Sequence, residues 1–327
     1  MNIALVTYND NGAYHNQTSE NEDDLLINYL QRKEFTIEKA IWNNPEVNWE
    51  SYDLVLLKSP WDYFNMIGDF YQWLTAMENK NVKLINPITI IKWNADKHYL
   101  KDIEEGGLKI APCIFLEKGK KVNLNEYFFK LNTEILIVKP AVSGGSKNTF
   151  KINAQNVEEV NQQLQLLVQV EDFIVQPFLK EIEDDGEWSF LFFGGKFSHA
   201  LLKKAKTGDF RVQPIFGGTV HPQVPPIELL KKAQQYVDQF AKDCLYARVD
   251  GVIVNQQFLL MELELIEPFL FLETNKKSLV NYYQALQNFI NQPFKGYSLS
   301  TFFFLFLFTS TFIYYGNFFL LFIKIDL

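Results

Sequence analysis

The chain has 327 residues, enough for about two domains, and 31 basic against 39 acidic side chains leave a net charge of −8. That balance argues against a general nucleic-acid binder, which carries a basic footprint, and 47% apolar with 21% charged residues excludes wholesale disorder. Two cysteines, Cys113 and Cys244, cannot build a disulfide framework, and no zinc-type Cys/His spacing occurs, which points to a reducing, cytoplasmic setting.

Ile3–Tyr8 is an apolar run of strand length, too short for a secretory signal and without its basic flank. After a loop rich in Asn, Asp and Gly, Ser19-Glu20-Asn21-Glu22 has capping-box spacing ahead of Leu25, Leu26, Tyr29 and Leu30. Thr36–Ile41, Asp53–Lys58 and Val82–Ile85 read as further strands, with a helix over Phe70–Met77. Strands alternating with helices predict a parallel α/β domain over residues 1–90. Pro87 and a helix over Asn94–Glu105, ended by Gly106-Gly107, mark a junction. Strands follow at Ile110–Leu116 and Ile135–Val138, the latter running into Lys139-Pro140 and the loop Ser143-Gly144-Gly145-Ser146. An amphipathic helix over Asn156–Val168 and a strand over Phe173–Gln176 come next. Trp188–Phe193 and Lys196–Leu202 flank the hairpin turn Gly194-Gly195. Pro225-Pro226 opens a helix to about Asp243, apolar at Ile227, Leu230, Ala233, Val237 and Phe240. Ala247–Val254 and Phe258–Leu265 form a second strand pair, and Leu279–Ile290 a closing helix. The fold class is α/β, turning to α+β in the C-terminal part.

Glu262 and Glu264 are two apart in the apolar run Leu259–Leu265 and so share one face of a strand. Like charges held together in apolar surroundings are costly, and a divalent cation with oxygen ligands removes that cost. Asp250 in the neighbouring strand supplies a third carboxylate; a solvated strand face is the equal alternative for the pair alone. Glu267 reads as a turn residue. Lys139 at a strand end and Lys97 are point-charge partners for phosphate, and Gly144 and Gly145 let backbone N–H groups approach an anion. Neither a Walker loop nor G-x-G-x-x-G is present. The histidines carry no metal or triad signature; His199 reads as structural or substrate-facing. Both cysteines read as core.

In this order the pieces resemble the ATP-grasp ligases, in particular the glutathione-synthetase-like group that includes the O-ureido-serine cyclo-ligase of cycloserine biosynthesis. Ser59-Pro60-Trp61-Asp62-Tyr63, Trp93–Leu100, Val138-Lys139-Pro140 with its Gly loop and Gln176-Pro177-Phe178-Leu179 carry the likeness. So do Gly186-Glu187-Trp188-Ser189, Ser198-His199-Ala200, Gly208–Gln213, Tyr246–Asp250 and Glu262–Pro268, colinear over residues 1–290. Gly251-Val252 departs from the aliphatic residue more usual after that aspartate. The resemblance implies a pre-ATP-grasp domain over residues 1–90 and an ATP-grasp domain of two subdomains over residues 91–292, with ATP between them. It implies that Lys97, Lys139 and the Gly144-Gly145 loop hold phosphates and that Gln176, Pro177, Phe178 and Leu179 read adenine. Glu187 would bind ribose, and Lys203 rather than Lys204 would face the γ-phosphate. Asp250, Glu262 and Glu264 would carry Mg2+ or Mn2+, Arg248 would steady the reacting acyl group, and Arg211 and His199 would face the substrate. The implied reaction joins a small amino-acid-like carboxylate to an amine through an acyl phosphate, between two molecules or in its intramolecular version. A nucleotide-binding sensor or scaffold without turnover and a phosphotransferase are the alternatives.

Nine of the 30 Phe lie in residues 297–327, and no charge falls between Lys295 and Lys324. The stretch 293–327 reads either as a membrane anchor, long enough to span a bilayer, or as a sequence artefact; its many Ser and Thr make a poor membrane helix.

Overall fold

The structure is a computed structural model that describes residues 1–9, 19–206, 209, 211–213 and 216–292. The Phe-rich stretch 293–327 and the loop positions Gly208 and Phe210 lie outside the described residues. No helix among the described residues is long and apolar enough to cross a membrane.

The first 85 residues alternate as expected: β1 (Asn2–Thr7), α1 (Ser19–Gln31), β2 (Thr36–Ile41), β3 (Leu54–Ser59), α2 (Ile67–Asn79) and β4 (Leu84–Ile85). The strands form a four-stranded parallel sheet in the order β2-β1-β3-β4. Its central strands carry continuous apolar runs, Ile3–Val6 and Leu54–Leu57, all essentially without exposure, as expected of a sheet covered on both faces.

Two short helices, α3 (Ile88–Asn94) and α4 (Tyr99–Glu105), replace the single helix expected over Asn94–Glu105. The break has a local cause. The Asp96 carboxylate accepts from the His98 backbone N–H at 2.9 Å, a side-chain turn that competes with helix. It frees the Lys97 N–H to donate to the Ala141 carbonyl at 2.9 Å instead.

The next elements are β5 (Ile114–Leu116), α5 (Leu124–Lys130), β6 (Leu136–Pro140), β7 (Phe150–Ile152), α6 (Val157–Leu167) and β8 (Phe173–Pro177). They form a four-stranded antiparallel sheet in the order β5-β8-β6-β7, with α6 closing its core through Val157, Val160 and Leu164. The expected strand Ile110–Leu116 is shorter than its apolar run, because Ile110 bridges to Leu260 instead. The sequence reading missed α5 and β7.

The chain continues through α7 (Glu181–Asp184), β9 (Glu187–Phe193), β10 (Lys196–Lys204), β11 (Thr219–Gln223), α8 (Ile227–Phe240), β12 (Tyr246–Val254), β13 (Gln257–Glu264) and α9 (Ser278–Asn291). A five-stranded antiparallel sheet runs β11-β10-β9-β12-β13. Gly194 and Gly195 turn the β9–β10 hairpin at φ of 56° and 74°, a region that favours glycine. Helix α8 buries Leu229, Ala233, Tyr236 and Val237, whereas Ile227, expected on the apolar face, is 62% exposed.

A bulge decides which way β13 faces. Asp250 pairs with Glu262, but Gly251 pairs with Leu260, so Met261 is an extra residue on β13. Phe258 and Leu260 on one side of the bulge, and Leu263 and Leu265 on the other, all enter the same apolar core. Leu259 and Met261 pack with Val252 on the opposite face, where Glu262 and Glu264 also lie. Strict alternation would have put Phe258 and Leu260 on the side of the carboxylates.

Candidate active site

A cavity of about 530 Å³ opens between the two antiparallel sheets, within the range of about 300–1,000 Å³ usual for small-molecule sites. Its wall includes Lys97, Lys139, Gly144, Gly145, Gln176, Pro177, Phe178, Leu179, Glu187, Lys203, Arg211, Arg248, Asp250, Glu262 and Glu264. Residues scattered over more than 160 sequence positions therefore share one space. Alternation accounts for the strand residues: Lys139 on β6, Lys203 on β10, and Arg248 and Asp250 on β12 point inward. Lys204, next along β10, is exposed.

The charged groups are interlocked. Lys139 Nζ donates to Glu262 Oε1 at 2.6 Å. Lys203 Nζ lies 2.5 Å from Glu187 Oε1 and 3.0 Å from Asp250 Oδ2. Arg248 grips Asp250 through Nε and Nη2, at 3.0 Å and 2.9 Å from Oδ2, and also donates to Glu264. Ser189 adds a hydrogen bond to Asp250 Oδ1 at 2.6 Å. Lys97 is different: it donates to the Ser143 carbonyl at 2.9 Å and to its hydroxyl at 3.2 Å, at the mouth of the Gly loop.

Burial and charge pull the carboxyls apart. Burial opposes ionisation of Glu262, yet Lys139 and Lys97 outweigh it and hold its pKa near about 2. Burial, then the charges of Asp250 and Glu262, push Glu264 up to about 7 against Arg248. Burial and the Glu264 charge raise Glu267 to about 8, against Lys97, Arg248 and a hydrogen bond from Tyr63. Asp250 is lowered, because Arg248 and Lys203 overcome its burial. Burial lowers Lys97, with Glu262 opposing.

The Gly loop packs tightly. A Cβ on Gly144 would sit 2.5 Å from the Phe64 ring, so only glycine fits beneath that ring. Lys147 Nζ reaches Asn65 Oδ1 at 2.7 Å from the same loop. On another part of the wall the buried Gln176 Nε2 has no hydrogen-bond partner. An unpaired buried amide is costly and suits a ligand that brings an acceptor.

Comparison with known proteins bears on this arrangement. Residues 3–86 match the family model described as D-cycloserine synthetase DcsG, N-terminal domain. The cycloserine biosynthesis protein DcsG of Streptomyces lavendulae is 25% identical over 272 residues, 77% of this chain and 88% of that protein. The crystal structure of D-cycloserine synthetase DcsG superposes with a TM-score of 0.77 at 22% identity, over 89% of this chain and 100% of that one. D-alanine–D-alanine ligase from Bacillus anthracis, complexed with ATP, gives a TM-score of 0.66 at 17% identity, over 89% and 97% of the two chains. The ATP-grasp RimK domain protein from Sphaerobacter thermophilus DSM 20745 gives 0.62 at 9% identity, over 86% and 97%. The chain has the ATP-grasp fold. Its ATP-grasp fold brings one expected residue somewhere other than the cavity. His199 is 4% exposed and absent from the wall. Its Nε2 donates to the Leu270 carbonyl at 3.0 Å, and its Nδ1 lies 3.0 Å from the Ser198 hydroxyl. The pairing of β10 is continuous from His199 to Lys203, so the imidazole is in phase with Lys203 but four residues further along the strand, where it meets the loop carrying Leu270. Arg211 does line the wall, ion-paired to Asp209 at 2.7 Å and stacked over Phe216 at 3.7 Å.

The same ATP-grasp cavity includes residues that the sequence reading left out. Glu267, read there as a turn residue, is on the wall, as are Glu22, Trp61, Tyr63 and Phe64 from the first 64 residues. No spacing rule flags them, since they meet the strand residues only in space. The acid next to a proline, Glu267-Pro268, was the one signal available.

Proposed function

We propose that this ATP-grasp chain joins a small amino-acid-like carboxylate to an amine at the expense of ATP, through an acyl phosphate. The observation that carries the reading is the interleaving of Lys97, Lys139, Lys203 and Arg248 with Asp250, Glu262 and Glu264 around one cavity beside a Gly loop. In this reading a substrate carboxylate oxygen attacks the γ-phosphorus, and the bond to ADP breaks. The amine nitrogen then attacks the acyl carbon, and phosphate leaves. Little covalent work falls to the protein, so positioning and charge neutralisation supply the rate.

Lys97, Lys139 and the Gly144-Gly145 backbone hold phosphate oxygens, and Lys203 serves the γ-phosphate side. The unpaired Gln176 amide and the segment Pro177–Leu179 suit the adenine ring. Glu187 takes the ribose. The carboxylates Asp250, Glu262 and Glu264 form an all-oxygen donor set that fits Mg2+ or Mn2+. Bound there, the cation would neutralise charge building on the phosphates. Arg248, on the strand face of Asp250, steadies the negative charge of the reacting acyl group, and Arg211 faces the substrate.

The test is release of ADP and phosphate with ATP, Mg2+ and a panel of amino acids in both L and D forms. Lys139→Ala should weaken ATP binding about tenfold to a hundredfold, the usual loss for one charge-assisted contact. Glu262→Ala should raise the Mg2+ concentration needed for half-maximal rate by a similar factor. Unchanged ATP affinity in the first and unchanged Mg2+ dependence in the second would sink the site assignment. A stable phosphorylated product in place of an amide would identify a phosphotransferase.

A further inference from the structure

Among the described residues, the carboxylates of the cavity wall are matched to cations except for Glu267 and the exposed Glu273. Glu22 lies 3.0 Å from Lys58, Glu187 lies 2.5 Å from Lys203, and Glu262 lies 2.6 Å from Lys139. Asp250 and Glu264 share Arg248. Glu267 also lines the wall, partly buried, but among the described residues no Lys, Arg or His nitrogen pairs with it. Its side chain takes one neutral donor, the Tyr63 hydroxyl. Once ionised, as a cation brought beside it favours, this carboxyl offers about four lone-pair sites, most of them unused.

The loop that carries Glu267 is fixed. Trp61 Nε1 donates to the Glu267 carbonyl at 3.0 Å, and the Tyr246 hydroxyl lies 2.7 Å from the Ile266 carbonyl. Pro268 follows directly. With its backbone engaged, the residue presents the carboxyl group to the cavity. Aromatic side chains on the same cavity wall include Trp61, Tyr63, Phe269 and Phe271. Trp61 is itself stacked on Tyr8 at 5.9 Å, and Phe269 meets Phe271 edge-on at 4.8 Å. An unmatched acid on a cavity wall that also carries aromatic side chains recognises a nitrogen that donates hydrogen bonds or carries positive charge.

We propose that Glu267, oriented by Tyr63, binds the donor nitrogen of the nucleophile, a primary amine. The word nucleophile rests on the ligase reading above; the amine site itself rests on the unmatched carboxyl, its Tyr63 donor and the aromatic side chains of the same wall. The site selects an aliphatic amine or ammonium over an alcohol, because a hydroxyl offers this acid one donor and no charge.

Calorimetry on the full chain, loaded with Mg2+ and the non-hydrolysable analogue AMPPNP, tests this. The titrants are ammonium, methylamine and the proteinogenic amino acids in both L and D forms. At least one should bind the wild type, and Glu267→Gln should weaken it about tenfold to a hundredfold. Glu267→Asp should recover part of that loss, and Tyr63→Phe should fall between wild type and Glu267→Gln. AMPPNP affinity should stay within about twofold throughout, which also reports that each variant is folded. A wild type that binds no amine, or a Gln variant that binds as well as the wild type, overturns the proposal. So does a loss confined to nucleotide or Mg2+ affinity, which would make Glu267 part of the phosphate end. ADP release is followed on the same samples. No release with any carboxylate would sink the ligase reading, while amine binding that still depends on Glu267 would leave this site standing.

Discussion

At the scale of single residues, burial and pairing set what each titratable group does. Burial holds the His199 pKa down to about 4, with its hydrogen bonds to Leu270 and Phe271 opposing. Its ordinary value is 6.5, so the unfolded chain takes up a proton that the folded chain refuses. Stability from this group is therefore complete above about pH 6.5 and is lost as pH falls toward 4, by about 3 kcal/mol in all. Urea denaturation across that window should show the fall, and His199→Gln should flatten it. An equal slope in both proteins would show that His199 is not the group responsible. The carboxylate pair and the lysines were legible in the sequence because their chemistry travels with residue type and spacing. Glu267 and Tyr63 were not, because what distinguishes Glu267 is that no cation among the described residues comes within ion-pair distance of it, although Lys97 and Arg248 are near enough to act on its charge, a property of three-dimensional neighbours.

At the scale of elements, periodicity located the long helices and most of the strands, since apolar burial imposes those periods. It failed where one residue redirects the chain. The α3–α4 break depends on the Asp96 carboxylate capturing the His98 N–H, a local bond that an apolar count does not register. The extra residue Met261 is likewise invisible to alternation, although it brings Glu262 and Glu264 into the cavity. Opposite it, Gly251 has no room for a side chain: a Cβ would meet the Phe258 ring at 2.4 Å and the Leu259 carbonyl oxygen at 2.5 Å. Gly251→Ala should cost about 1–3 kcal/mol by overpacking, read as a lower urea midpoint at constant slope. A midpoint equal to that of the wild type would mean that the hairpin yields there at no cost.

At the scale of the whole molecule, buried polar side chains tie the first sheet and the α3 segment to the β12–β13 hairpin. Asn86, fully buried, donates to the Leu265 carbonyl at 2.8 Å and accepts from the Leu245 N–H at 2.7 Å. Asn94 donates to the Leu263 carbonyl at 2.7 Å and accepts from the Leu265 N–H at 2.9 Å. Asn86→Ala and Asn94→Ala should each cost about 2–4 kcal/mol, since each strands more than one buried backbone group. Because both grip Leu265, the double variant should lose less than the sum; strict additivity in a denaturation cycle would show the two ties to be independent. The bulge at Met261 also predicts where this molecule tolerates changes of length. Residues inserted at the β12–β13 turn, near Asn255, lie beyond the bulge and leave the pairing of Asp250 with Glu262 untouched. Deleting Met261 removes the extra residue, after which plain alternation still places Phe258, Leu260, Leu263 and Leu265 on the core face and Glu262 and Glu264 on the cavity face. A residue gained between Glu262 and Leu263 has no such bulge to absorb it and would turn Leu263 toward the cavity and Glu264 toward the core, so length changes do their damage beside the carboxylates and not at the turn or the bulge.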